Sequence, residues 1–352
     1  MYETNHLLYL THRDVAQICQ QIDSIDILHE MFLLRSTGQT ILPDEAYLGW
    51  QNELGESVRS LNMPGYVGGT INCVGTKIIN GNIDNYKRGY PRASGLTLLH
   101  DPITARTFCI MEGAHISSLR TASVSLLASQ KLRGPELECV GIIGAGILAQ
   151  AHIALLIKEQ QQHYPHLRHI TLFDLSAERS AALHATFAAT LQEAEIELRI
   201  VGSPEEAIRP AQLIIAATTT TEGYIPLAWL QPGAILVNVS LDDPLPEVVL
   251  KADSVIVDDW MLVKNDPRRL IGRMYRAGQV VGPDEKVTTQ DQPCRRIDAE
   301  LADIVVGTRI GRRSMRDIIL VNPFGMAIED IALAARVYQR ARELNLGLWL
   351  DR

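Results

Sequence analysis

The spacing of apolar residues changes along the chain, and each change marks a structural region. Over residues 5–35 a short apolar run, LLYL, gives way to apolar positions at helical spacing. That predicts one strand and then one helix from about Asp14 to Leu34. Residues 59–110 carry glycine-rich, β-branched segments such as SLNMPGYVGGTINCVGTKIIN and GLTLLHD, the pattern of a small antiparallel or mixed sheet. A helix over about Ala114–Lys131 follows, and LRGPE after it reads as a linker. From Leu137 the strands ECVGIIG, HITLFDL, IELRIVG, AQLIIAAT, GAILVNVS and DSVIVDD alternate with helical or loop stretches. Alternation of this kind builds a parallel sheet covered by helices on both faces. The closing segment, from Asp317, ends in a long amphipathic helix that is expected to return to the first domain. The fold class is therefore α/β, a doubly wound parallel sheet over residues 135–321. A discontinuous α+β domain over 1–134 with 322–352 completes it.

The first strand of the parallel sheet runs straight into a glycine turn, VGIIGAGILAQ at 140–150. Strand, tight turn and helix in that order give G-x-G-x-x-[GA] its meaning as a dinucleotide-binding, or Rossmann, fingerprint. Gly144 suits the tight turn, Gly146 lets backbone approach a pyrophosphate, and Ala149 keeps helix close to strand. The N-terminal end of that helix, with Ile147 and Leu148, offers unpaired N–H groups to a diphosphate. Asp174 ends the second strand, thirty residues past Gly144, where an acid hydrogen-bonds an adenosine ribose. An acid followed by neutral Leu175 and Ser176 favours NAD over NADP, because a 2′-phosphate would meet like charge.

Composition is that of a soluble enzyme, and 352 residues suffice for two domains with separate cores. The net charge of −8 argues against binding to nucleic acid or an anionic membrane surface. No apolar run is long enough to span a bilayer, and the N-terminal stretch lacks the pattern of a signal peptide. Five scattered cysteines without C-x-x-C spacing suggest reduced thiols in a cytoplasmic protein. The histidines show no ligand spacing, so no metal is expected.

Charge is uneven, and this bears on the substrate. Between Arg59 and Arg133 lie nine basic residues and three acids in a chain that is acidic overall. Lys77 and Arg120 interrupt otherwise apolar sequence, and Arg59 and Arg92, which add to the surplus, are candidates to bind substrate carboxylates alongside them. Cations beside a dinucleotide site suggest an anionic, carboxylate-bearing substrate. The alternative is that Lys77 and Arg120 form structural ion pairs or reach to solvent. In VNVSLDDPLPE, at the carboxyl end of a strand where open α/β sheets bind ligands, Asn238, Ser240, Asp242 and Asp243 are candidates. An aspartate there suits proton exchange with an amine; a turn or cap before Pro244 is the competing role. The run AATTTTEG, with Thr218, offers hydroxyls to a cofactor, or is simply a strand end.

The chain resembles the ornithine cyclodeaminase and mu-crystallin family along nearly its whole length. The resemblance rests on GTK at 75–77, SLRTASVSLLAS at 118–129, IIGAGILAQ, AATTTTEG, VNVSLDD and GMAIEDIALA, in that order. It implies a substrate-binding and dimerisation domain, an NAD-binding Rossmann domain and a homodimer. It also implies that Lys77 and Arg120 hold the substrate carboxylate and that Asp243, or failing it Asp242, handles the amine and water. Thr121, Val239 and Asn322 join the cofactor contacts. PRASG at 91–95, VDDW at 257–260 and NPFGMAIEDI at 322–331 resemble the branch that releases L-2,3-diaminopropionate in siderophore pathways. Two departures from ornithine cyclodeaminases agree with that branch: Asp243-Pro-Leu-Pro-Glu247 replaces their Asp followed by Pro-Gly-Lys, and ILPDEAY lacks their early arginine. The implied activity is NAD-dependent oxidative hydrolysis of N-(2-amino-2-carboxyethyl)-L-glutamate. Ornithine deamination, alanine oxidation, cyclic-imine reduction and cofactor binding without turnover are the alternatives.

Overall fold

The computed structural model describes residues 5–134, 136–286 and 294–351. The chain divides into two compact units, Met1–Arg120 with Gly325–Arg352, and Thr121–Phe324. The division runs through the helix Ala114–Lys131, ahead of the LRGPE linker.

The first unit is built on an eight-stranded mixed sheet. Its spatial order is Leu348–Asp351, His6–Leu10, Thr107–Glu112, Ala93–His100, Cys73–Asn82, Ser57–Val67 and Thr40–Ile41. Ala46–Gln51 also pairs with Ser57–Val67, and only His6–Leu10 with Thr107–Glu112 is parallel. The single helix expected over Asp14–Leu34 is two, His12–Cys19 and Ser24–Ser36. Asp23 accounts for the break: its carboxylate accepts from the N–H groups of Ile25 and Asp26, capping the second helix. The helix Ala327–Leu344 packs on one face of the sheet. Cβ atoms at Gly65 and Gly75 would stand 3.1–3.2 Å from Ile328 and Ile331, so these glycines set how closely helix and sheet approach. The helix is not the end of the chain. Asn345, in the left-handed conformation, turns it into the exposed edge strand Leu348–Asp351, which pairs with His6–Leu10.

The second unit holds an eight-stranded sheet in which every pairing is parallel. Its order is Glu197–Ile200, His169–Phe173, Cys139–Ile143, Leu213–Ala216, Ile235–Asn238, Ile319–Asn322, Ser254–Val257 and Ala299–Glu300. The six expected strands are all present. Ile319–Asn322, read from sequence as the approach to the last helix, is instead a fully buried strand inserted between the fifth and sixth. Central strands buried on both faces are continuous apolar runs, so a run of four carries no period to identify it. Among the described residues no helix is long and apolar enough to cross a membrane. No group of three potential metal ligands occurs among them.

Candidate active site

In the second unit the glycine turn has the local geometry its sequence demands. Gly144 takes φ +101°, and a Cβ there would stand 2.7 Å from the carbonyl oxygen of Ala217. Its N–H donates to the carbonyl of Phe173 at 2.7 Å, tying the turn to the neighbouring strand. Gly146 is the N-cap of the helix Ile147–His163 and is exposed, with open space where a side chain would project. No side chain caps that helix, so its first N–H groups are left for a ligand. The Asp174 carboxylate accepts from the N–H of Ala145 at 2.8 Å and from that of Ser176 at 2.7 Å. Those bonds fix it beside the turn and leave acceptor capacity for a ribose hydroxyl.

Further along the sheet edge, Asn238 is fully buried. Its backbone carbonyl accepts from Asn322 Nδ2 at 3.0 Å and its Oδ1 lies 2.9 Å from the Ser240 hydroxyl oxygen, but its Nδ2 has no partner among the described residues. A buried donor without an acceptor is costly, and an amide-bearing ligand would relieve it. The open turn, the uncapped helix, Asp174 and this orphaned donor together fit a dinucleotide.

Asp243 is fully buried under three hydroxyls: Thr218 and Tyr224 donate to Oδ1 at 2.8 Å each, and Ser240 donates to Oδ2. Burial pushes its carboxyl above the ordinary value, against the pull of those donors. Its carbonyl accepts from the N–H groups of Tyr224 and Ile225, which anchors the loop. Asp242 is turned elsewhere and pairs with Arg273 at 2.8 Å. The two adjacent acids thus occupy different environments, which sequence position alone did not distinguish. Val239 is half-buried, its N–H held by the carbonyl of Ala216. Thr121 is half-buried and its carbonyl accepts from Ser125.

In the first unit Lys77 and Arg120 are 2% and 8% exposed. Both make buried ion pairs. Lys77 Nζ lies 3.1 Å from Asp330 Oδ1 and donates to Ser117 at 2.8 Å. Arg120 meets Glu329 at 2.8 Å and Asp330 at 3.3 Å. Both acids are fully buried in the first turn of the helix Ala327–Leu344. Desolvation, and after it the charge of Arg120, lowers Lys77 to about 8, against the opposing pull of Asp330. Gly325, at φ +91°, allows the Arg120 guanidinium to lie against the backbone; a Cβ there would collide with it. Glu329, Asp330, Ser117, Tyr224 and Arg273 were not singled out from the sequence as site residues. The acids had left a signal: two adjacent carboxylates inside the apolar run GMAIEDIALA are seldom buried unless paired.

Arg59 and Arg92 stand apart from this network. Arg59 lies on the strand Ser57–Val67 opposite Gly81, and Arg92 precedes the strand Ala93–His100.

The model of the ornithine cyclodeaminase/mu-crystallin family matches residues 8–345. The chain is 32% identical to the N-((2S)-2-amino-2-carboxyethyl)-L-glutamate dehydrogenase of Staphylococcus aureus (strain NCTC 8325 / PS 47), over 98% of each chain. It is similar to the solved structure of CmnK, with 32% identity, TM-score 0.87 and 99% of each chain covered. It is also similar to the Delta(1)-pyrroline-2-carboxylate reductase of Thermococcus litoralis, solved with NADH and L-proline. That match has 25% identity and TM-score 0.82, covering 97% of this chain and 99% of the other. Matched end to end by the family and by relatives at this level, the chain belongs to the ornithine cyclodeaminase/mu-crystallin family.

Proposed function

We propose that this protein is an NAD-dependent dehydrogenase that converts N-(2-amino-2-carboxyethyl)-L-glutamate to 2-oxoglutarate and L-2,3-diaminopropionate. The observation that carries this reading is the end-to-end likeness to the staphylococcal dehydrogenase. A buried cluster of two cations and two acids in one unit and a glycine turn of dinucleotide-binding form in the other support it.

NAD, when bound, supplies the acceptor for the hydride that leaves the glutamate-side Cα. Gly144, Gly146, Ile147 and Leu148 hold its diphosphate, and Asp174 holds the adenosine ribose. Thr121, Thr218, Asn238, Val239 and Asn322 complete its contacts. Lys77 and Arg120 bind the carboxylate next to the reacting carbon, and Glu329 and Asp330 fix both cations in position. A cation held by buried acids is pre-oriented, so little ordering cost is left for the binding step. Asp243 takes the proton of the substrate's secondary amine. Its burial makes it a stronger base than a solvated aspartate, and its three hydroxyl partners set its direction. Loss of hydride leaves an imine on the substrate. A water oriented by Asp243 adds to it, and the carbinolamine collapses to the two products. Asp242, held by Arg273, assists in substrate binding.

We further read the protein as a cytoplasmic homodimer serving siderophore or other nonribosomal product biosynthesis. The dimer rests on the first unit, where Tyr47, Leu48 and Trp50 leave an apolar strand exposed. Incubation with NAD and the substrate, following the NADH absorbance band and the products by mass spectrometry, tests the activity. Turnover of ornithine, alanine or a cyclic imine in its place would overturn it.

A further inference from the structure

The charges of the first unit do not balance where a carboxylate clamp would leave them. Lys77 and Arg120 are matched by Glu329 and Asp330, two cations against two acids. The Arg59 and Arg92 side chains have no such partners: among the described residues neither guanidinium makes a hydrogen bond or ion pair, and Arg92 is held only by its backbone carbonyl, which accepts from the Asn82 N–H at 3.0 Å. Glu56, which is linked to the Arg92 backbone through Asn82, is already occupied. It accepts from Arg88 at 2.6 Å and from Asn82 and Asn52. Those bonds hold the Glu56 carboxyl down at about 2.

The two arginines flank adjacent positions of one strand: Arg59 pairs with Gly81, and the Arg92 carbonyl bonds to the N–H of the next residue, Asn82. Desolvation, and after it the charge of Arg59, draws Arg92 below the ordinary arginine value. Like charges held together without an acid are unfavourable until an anion joins them. Gly81 lies beside both residues. It pairs with Arg59 on one side and Ala93 on the other, and a Cβ there would stand 3.4 Å from both Arg59 Nε and the Arg92 carbonyl. The unbroken register puts Arg59 and Gly81 on the sheet face that carries Lys77, which pairs with Met63. Gly81 is four residues from Lys77, about 13 Å along the strand, and long side chains at both ends shorten the distance between charges.

We propose that Arg59 and Arg92 form a second anion subsite, which binds a substrate carboxylate remote from the reacting carbon and selects for substrates with more than one carboxylate. The identity of the substrate rests on the function proposed above; the subsite itself does not.

The test compares the unmodified protein with Arg59→Ala, Arg92→Ala and the charge-keeping Arg59→Lys and Arg92→Lys. Three substrates are used: the triacid, its glutamine analogue with a γ-carboxamide, and N-(2-aminoethyl)-L-glutamate, which lacks the aminopropionate carboxylate. The alanine variants should lose about 10- to 100-fold in kcat/KM on the triacid, the range for a charge-assisted bond, mostly through KM. The lysine variants should recover part of the loss. On whichever analogue lacks the recognised carboxylate, variants and unmodified protein should perform alike, which identifies that carboxylate. Equal losses on all three substrates would overturn the subsite. Calorimetric binding of glutarate against butyrate tests it without turnover. The preference for the diacid should vanish in both alanine variants, and a preference that survives refutes the proposal whatever the substrate proves to be. An altered solution mass with diacid preference intact would assign the pair to a contact between copies and equally overturn it. Failure of the triacid to react, with the diacid preference still lost in the variants, would remove the proposed function and leave the subsite standing.

Discussion

Lys77 offers the sharpest test of how the buried charge cluster works. It is 2% exposed and held at about 8 in the folded protein, from an ordinary 10.5. At about 1.4 kcal/mol per pH unit, its charged form is disfavoured by about 3 kcal/mol relative to water. A lysine that must be charged to bind a carboxylate is then about one-tenth neutral at pH 7 and about nine-tenths neutral at pH 9. The kcat/KM of the proposed reaction reports the free enzyme, so it should fall about tenfold per pH unit above 8. The assay is the initial rate of NADH formation at subsaturating substrate between pH 6 and 10. In Lys77→Arg the charge persists at every pH in that range, so this alkaline limb should disappear even if the rate is lower. Stability should move the other way. Between pH 8 and 10.5 the unfolded chain holds the Lys77 proton and the folded chain does not. This residue's contribution therefore rises over that window, and its full burial penalty is present below pH 8. A flat profile to pH 10, or a limb at the same pH in Lys77→Arg, would refute the assignment of the limb to Lys77.

Asp243→Asn keeps the hydroxyl cage but removes the base, so turnover should drop by about 10²–10⁴-fold with NAD affinity retained in a fluorescence titration. Asp242→Asn takes a buried carboxylate from a half-exposed arginine, and should cost about 1–3 kcal/mol in thermal unfolding while costing turnover far less than Asp243→Asn. Asp174→Ser should erode the preference for NAD over NADP, read from the ratio of kcat/KM values; tighter NADP binding by the unmodified protein would dispose of the ribose assignment. Gly325→Ala meets both a positive φ and the Arg120 guanidinium, so it should destabilise by more than about 1 kcal/mol and raise the substrate KM. An unchanged melting temperature would show that the loop yields. Sedimentation at micromolar concentration should give the mass of a dimer.

Local chemistry that depends on a few neighbouring residues was legible in the sequence. The glycine turn at 144–146 needs a particular backbone and little else, and Asp174 follows from a strand end two elements later. The six strands of the parallel sheet declared themselves because each is an apolar run bounded by turns and followed by helical sequence. The last strand of the sheet to be recognised, Ile319–Asn322, did not, because four apolar residues have no period and its place between two other strands is a matter of topology. The break at Asp23 was equally hidden: a capping carboxylate competes with helix continuation, and apolar spacing passes over it.

What only tertiary structure decided is which charges meet. Sequence marked Lys77 and Arg120 as cations in apolar surroundings. Their partners Glu329 and Asp330 lie more than two hundred residues away, on a helix that returns to the first unit. The same holds for Asp242 and Asp243, which are chemically identical neighbours in the chain. One is paired with Arg273 and the other is buried beneath three hydroxyls, because adjacent side chains on a turn point in different directions. Residue type and spacing fix what a group can do chemically; desolvation and through-space charge fix its protonation and its partner, and these depend on chain segments that only folding brings together.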